Sequence, residues 1–308
     1  NTFAFFSYDL ITKNCTYKHV FYPRLDIDIH SGKKNPYYIP LQPNEIRILS
    51  ADMAFIENEK NDNSIFSIIR LLPETTSYTV GENDTTEIQQ GYRRIVCYME
   101  SIQGGDTQRQ SIRLKQLFYD ADCSYLVLDT RNCGIGVYDQ LARVQYDESR
   151  GIEYPAWRCM NDEGIANRIK IPSALECVYA INASQKLNSD IAFAMRKTLE
   201  DRKIEFLIPF KQAEEEILKH NKNYVSAAEA EMQLFYERPF LETQQMVAEM
   251  TDLVYEKKEQ TGVIVIHEQG NNRKDRYTSV SYGNWFANLL EQDLLSNGNG
   301  YEYCCLVN

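Results

Sequence analysis

Apolar and polar positions divide the chain into runs of two kinds. From Glu45 to Ser101 three apolar-rich runs, EIRILSADMAF, SIFSIIRLLPE and RRIVCYMES, are separated by polar clusters. That is the pattern of strands joined by short loops, and it predicts an antiparallel meander. Between Gly105 and Phe118, the residues Ile112, Leu114, Leu117 and Phe118 fall near helical spacing among Gln, Arg and Lys, so a helix leads into the apolar run SYLVLDT at 124–130. VYDQLARV, behind Gly134-Ile135-Gly136, continues as a helix and turns the meander into a parallel crossover within a mixed sheet. Residues 183–203, 211–222 and 226–260 are helical in composition, with strand-like KIEFLIP between the first two. They read as one helical insertion over about 183–260, placed before the last helix. The final unit is the short strand GVIVIHE, the polar loop QGNNRK and the helix DRYTSVSYGNWFANLLEQDLL, whose Val280, Trp285, Phe286, Leu289 and Leu290 can face a core. Residues 1–43, rich in Tyr, Asp and Pro, read as an irregular leader in which Pro36, Pro40 and Pro43 block helix, and 297–308 as a peripheral tail. The expected architecture is a single α/β domain over 44–296.

Composition narrows this little but excludes much. With 308 residues, 43% hydrophobic, 25% charged, 14 Gly and 9 Pro, the chain has the makings of a folded globule and not of a disordered or collagen-like segment. No apolar run approaches the roughly 18 residues of a membrane span, and NTFAFFSYDL lacks the basic start of a secretory leader, so no membrane and a cytoplasmic location are expected. The 8 cysteines form no CxxC pair and read as buried free thiols. A balance of 33 basic against 44 acidic residues, net −11, argues against wholesale electrostatic binding of nucleic acid. The objection weakens where acids gather around cations, which invert the local sign.

Three aspartates stand where such chemistry would need them. Asp52 follows the apolar strand RILSA and Asp129 follows YLVL, and strand ends in an α/β sheet are where ligands gather. Asp275 opens the last helix, where the helix dipole alone would favour a carboxylate; Asp129 also suits a plain turn closing its strand. Hard divalent cations take oxygen ligands and keep several waters, so two or three convergent carboxylates suffice where a phosphate supplies the rest. Basic neighbours, Arg131 beyond Asp129 and Arg273, Lys274 and Arg276 around Asp275, are candidate phosphate contacts, although any single Arg more often pairs with a nearby carboxylate.

The segments SADMAFIENEKNDNSIFSIIRLLPE, GGDTQRQSIRLKQLFYDADCSYLVLDTRNCGIGVYDQLARV and NNRKDRYTSVSYGNWFANLLEQD, in this order, resemble the nuclease domain of the large terminase subunit of tailed bacteriophages, over about Pro40 to Asp293. The resemblance implies a ribonuclease H-like fold, a mixed central β-sheet flanked by helices. It also implies three acids, Asp52, Asp129 and Asp275, that bind two Mg²⁺ or Mn²⁺ ions. NDNS fits the family as well, making Asp62 a further or water-mediated ligand; an Asx turn would use the same residues. The implied activity is cutting of concatemeric double-stranded viral DNA in the host cytoplasm, with a packaging ATPase domain, a small terminase subunit and a portal as partners. No GxxxxGK[ST] phosphate loop is present, SGKKN at 31–35 lacking the spacing, so the chain reads as the nuclease part with 1–43 as tether from an ATPase domain.

Other readings fare less well. VLDTRNCGIGVYD offers D-x4-G-x-G without the third glycine of a dinucleotide loop, a weak sign of nucleotide or S-adenosylmethionine binding. The four histidines, with Cys15 near His19, complete no zinc site, and no GxSxG string supports a covalent nucleophile. A catalytically silent ribonuclease H-like docking module stays open; three retained aspartates are what such a module would not need.

Overall fold

The structure is a computed structural model that describes residues 3–54, 63–80, 85–103, 106–260, 262–270 and 272–297. In chain order its elements are β1 Phe3–Ala4, α1 Tyr8–Thr12, β2 Cys15–Tyr17, α2 Asp26–His30, β3 Ile46–Asp52, β4 Asn63–Val80, β5 Thr85–Gln103, α3 Thr107–Asp120, β6 Tyr125–Asp129 and α4 Cys133–Leu141. There follow β7 Gln145–Asp147, β8 Ile152–Tyr154, β9 Trp157–Cys159, α5 Glu163–Ala166, β10 Leu175–Ile181, α6 Gln185–Glu200 and β11 Ile204–Leu207. The chain continues through α7 Phe210–Glu216, α8 Lys222–Val225, α9 Ala230–Asp252, β12 Leu253–Lys257, β13 Ile264–Glu268 and α10 Asp275–Asn297.

Among the described residues, eight strands form the central sheet in the order β2-β11-β5-β4-β3-β6-β10-β9. β3, β4 and β5 are the antiparallel meander, and β6 and β10 run parallel to β3. Side-chain alternation sorts the strands onto two faces. Leu49, Ala51, Leu126, Leu128, Val178 and Ala180 pack with α3 and α4, whereas Ile48, Val127, Tyr179 and Ile181 pack with α6 and α10. Both faces are therefore covered, as parallel strands require. Local signals set the helix starts: Asp106 accepts the Arg109 N–H at α3, and Ser184 the Leu187 N–H at α6. A mixed central sheet flanked by helices is the α/β class that the sequence predicts.

Two expectations are corrected. Residues 1–43 do not form an irregular leader throughout. β1 pairs with β12, β2 extends the central sheet beside β11, and Phe5, Phe6 and Ile11 sink into one apolar cluster while Tyr17, Phe21 and Tyr22 enter the other. Burial of these aromatic and aliphatic side chains offsets the cost of ordering the segment, and Pro36, Pro40 and Pro43, which block helix, lie beyond it. The stretch 183–260 is likewise no separate helical insertion. α6 packs on the sheet, β11 pairs in parallel with β5, and the last helix of the stretch stops at Asp252, where Leu253–Lys257 becomes a strand hairpinned to β13. No helix among the described residues is long and apolar enough to cross a membrane.

Candidate metal-binding cleft

β3 and β6 are adjacent parallel strands in register, Ala51 beside Leu128, so their last residues, Asp52 and Asp129, emerge together. α10 lies against the same strands and is stitched to them by hydroxyls. Ser50 Oγ donates to the Ser279 carbonyl at 2.5 Å, Ser279 Oγ donates to the Ser50 carbonyl at 2.9 Å, and the Ser67 and Ser279 hydroxyls bond at 2.9 Å. Gly283 permits this close approach, since a Cβ there would stand 2.4 Å from Ile69 Cδ1. Four residues before Ser279, Asp275 begins the helix. The outcome is one cleft of about 260 Å³ lined by Asp52, Asp129 and Asp275 together with Arg131, Asn188, Glu268, Lys274, Thr278 and Tyr282.

The electrostatics of the cleft are those of acids short of cations. Burial, then the facing Asp275 and Asp129, then Glu249, push the Asp52 carboxyl well above its usual range, and Lys274 opposes them. Asp129 is better satisfied: it accepts the Arg131 N–H at 2.9 Å and meets the guanidinium at 3.2 Å, with the Tyr282 hydroxyl at 3.4 Å. Lys274 reaches Glu268 at 3.1 Å. Burial and then Asp52 and Asp129 raise the Cys133 thiol to about 11, so it stays protonated, donating to the Ala54 carbonyl.

Of the residues picked out in the sequence, Asp52, Asp129, Asp275, Arg131 and Lys274 line the cleft, and Arg273 adjoins it in sequence. Asp62 lies outside the described residues. Arg276 is a correction: it is buried, with Nε 2.5 Å from Glu242 and Nη1 2.8 Å from Glu249, so its charge is spent inside the protein and not offered to a phosphate. Glu249, Asn188 and Tyr282 escape the sequence reading. Tyr282 carried a signal, since it stands two helical turns beyond Asp275 on the same face; the first two lie on other helices and carried none. Ile266 and Glu268 face the cleft, which turns the intervening His267 the other way.

Among the described residues, no group of three or more His, Cys, Asp or Glu side chains forms a ready-made metal site. The Asp129 carboxylate is turned onto Arg131. The donor set still suits a hard divalent cation: three carboxylates from separate chain segments on one cleft, one of them raised in pKa by burial first and then by the other two. A larger cleft of about 1070 Å³ around Glu100, Arg113 and Asp147 differs in character. There Glu100 is paired with Arg113 at 2.7 Å, and hydrogen bonds from Gln116, Ser149 and Tyr154 overcome burial to hold Asp147 below its usual range. Gly134 of GIG serves packing: a Cβ there would stand 1.7 Å from the Asp129 carbonyl, so that space is filled by the protein's own backbone.

Fold and cleft define an α/β protein with acidic side chains gathered at the carboxyl ends of two parallel strands. In structure the chain is similar to nuclease domains of phage large terminases. The magnesium-bound large terminase nuclease of thermophilic phage G20c aligns over 79% of this chain and 82% of that one, at 13% identity and TM-score 0.42. The large terminase nuclease domain of Thermus phage P74-26 aligns over 78% and 79%, at 15% identity and TM-score 0.41. A mutant nuclease domain of the large terminase subunit gp2 of bacterial virus Sf6, with manganese and β-thujaplicinol, aligns over 92% and 98%, at 9% identity and TM-score 0.44. No family model and no curated protein matches the sequence.

Proposed function

We propose that the protein is a divalent-metal-dependent endonuclease that hydrolyses DNA phosphodiesters, cutting concatemeric viral DNA into genome lengths within a terminase large subunit. The observation that carries this reading is the meeting of Asp52, Asp129 and Asp275, 146 residues apart at the widest of their two sequence gaps, on one cleft beside two cationic side chains. Asp52 would be shared between two Mg²⁺ or Mn²⁺ ions, with Asp129 and Asp275 each holding mainly one. Such ions, when bound, polarise a phosphoryl oxygen and ease the ionisation of water. Arg131 and Lys274 orient the phosphate backbone from the cleft's rim, and Arg273 extends that contact. Water is the attacking group, so no covalent link between DNA and protein is expected. The packaging ATPase domain, small subunit and portal are the partners this reading implies.

Plasmid nicking with Mn²⁺ or Mg²⁺ tests the assignment. Asp52→Asn and Asp129→Asn should each lose activity by at least about a hundredfold, in keeping with the loss of electrostatic stabilisation at a reacting phosphate. In chelator the Asp52→Asn protein should melt no lower than the parent, because relieving buried like charges favours folding. Full activity in either variant overturns the site. The silent docking module, favoured by the Asp129–Arg131 contact alone, predicts instead that the parent itself does not nick.

A further inference from the structure

Asp275 begins α10, and the next two backbone N–H groups of that helix are taken by a side chain from another helix. Glu249 Oε2 of α9 accepts from Arg276 N at 3.0 Å and Tyr277 N at 3.2 Å. Its other oxygen accepts from Arg276 Nη1 at 2.8 Å, Arg276 Nε donates to Glu242 Oε2 at 2.5 Å, and Glu242 Oε1 accepts from Ser101 Oγ of β5 at 2.5 Å. Glu242, Glu249 and Arg276 are all buried. A continuous chain of charge-assisted hydrogen bonds therefore runs from the sheet through α9 to the residue after Asp275.

Stability alone gives little reason for this arrangement. Two buried glutamates on one arginine leave a net negative charge away from water, and such groups are commonly matched or bettered by apolar packing. Here the surplus charge stands close enough to bear on Asp52, which already faces two acids. What the chain of bonds does achieve is orientation. It fixes the start of α10 in direction and depth, and with it the carboxylate of Asp275 relative to Asp52.

We propose that Glu249, Arg276 and Glu242 are positioning residues that set Asp275 against Asp52 and so determine how tightly the cleft holds a divalent cation. The inference rests on the metal-dependent reading above. Outer partners of metal ligands are typically worth 10–100-fold in affinity.

The experiment is a Mn²⁺ titration, without DNA, read as the rise in melting temperature over the chelated protein, on the parent, Asp52→Asn, Glu249→Gln and Arg276→Lys. The parent should show a saturable rise that Asp52→Asn lacks. Glu249→Gln should need roughly tenfold more Mn²⁺ for half the effect, with nicking restored at high Mn²⁺, whereas Arg276→Lys, which keeps the charge, should fall between. An Asp52-dependent response unchanged within twofold in Glu249→Gln overturns the positioning role and leaves the nuclease reading standing. No response in the parent overturns that reading and this inference with it. Should Glu249→Gln not fold, Glu242→Gln, which keeps both backbone bonds to Glu249, decides by the same criterion.

Discussion

Gly134 shows how narrowly one residue type serves the cleft. It sits in the first turn of α4, hydrogen-bonded through its N–H to the Arg131 carbonyl at 3.0 Å, and its α-carbon lies against the carbonyl of Asp129. A methyl group there would overlap backbone that cannot swing aside as a side chain can. Overpacking of this kind costs about 1–3 kcal/mol. Gly134→Ala is therefore expected to lose at least about 2 kcal/mol in a urea unfolding series, and to lose nicking activity beyond what the unfolded fraction explains, because the displaced strand end carries Asp129. Gly136→Ala is the control: its Cβ would meet Thr107 Cγ2 at 3.4 Å, an ordinary contact, and it should change stability by well under half as much. Equal effects at the two positions would remove Gly134 from any special role.

At the scale of elements, α3 is anchored by an unusual group. Lys115 is fully buried, and its ammonium donates to the carbonyls of Arg143 at 2.9 Å and Pro155 at 2.8 Å, with Trp157 beneath it at 5.4 Å. Burial lowers it to about 7, against an ordinary lysine value of 10.5. Between those two values the unfolded chain binds more protons than the folded one, so this group makes stability rise with pH, by up to about 1.4 kcal/mol per pH unit. Unfolding series from pH 7 to 8.5 should show a positive slope that Lys115→Met flattens. Above about pH 9 the buried thiols, such as Cys97 raised to about 12 by burial, pull the other way, which is why the lower window is chosen. A variant profile parallel to the parent's would mean that Lys115 is not titrating there. The same elements show what the sequence makes legible. β3 and β6 announce themselves as apolar runs closed by an acid, and α10 as a helix opened by one, so three carboxylates could be named before their meeting was known. Arg276 looked equivalent to Arg273 and Lys274, but successive helix positions are turned about 100° from one another. With Asp275 toward the cleft, Arg276 turns toward α9. Glu249 was beyond reach, since nothing within Gln244–Asp252 says which helix end that helix will meet. The aromatic content of residues 3–22 was visible, but several partners that bury it lie far downstream: Phe193 and Tyr255 against Phe5, Tyr277 against Phe6 and Tyr236 against Tyr22.

For the whole molecule, the proposed activity requires a chain of net charge −11 to engage a polyanion. Three cations accompany the cleft in our reading, Arg131, Arg273 and Lys274; Arg131 bears on Asp129 and Lys274 on Glu268. Each phosphate neutralised by a protein cation contributes about −0.9 to the slope of log affinity against log salt on duplex DNA. With three cations at most, the slope should be no steeper than about −3, and the surrounding negative field should keep the affinity for duplex DNA alone weak and indifferent to sequence. Fluorescence anisotropy of a labelled duplex between about 50 and 200 mM salt, with chelator present to suppress cutting, measures both quantities. Arg131→Ala and Lys274→Ala should each flatten the slope by close to one unit. Divalent cations should tighten binding in a manner that Asp52→Asn abolishes, since occupying the acids reverses the sign of the cleft. On this view the timing of cutting rests with the partners that deliver DNA to the protein. A slope near −6, or nanomolar sequence-selective binding by this chain, would require a basic track elsewhere on the surface and would return that control to the chain itself.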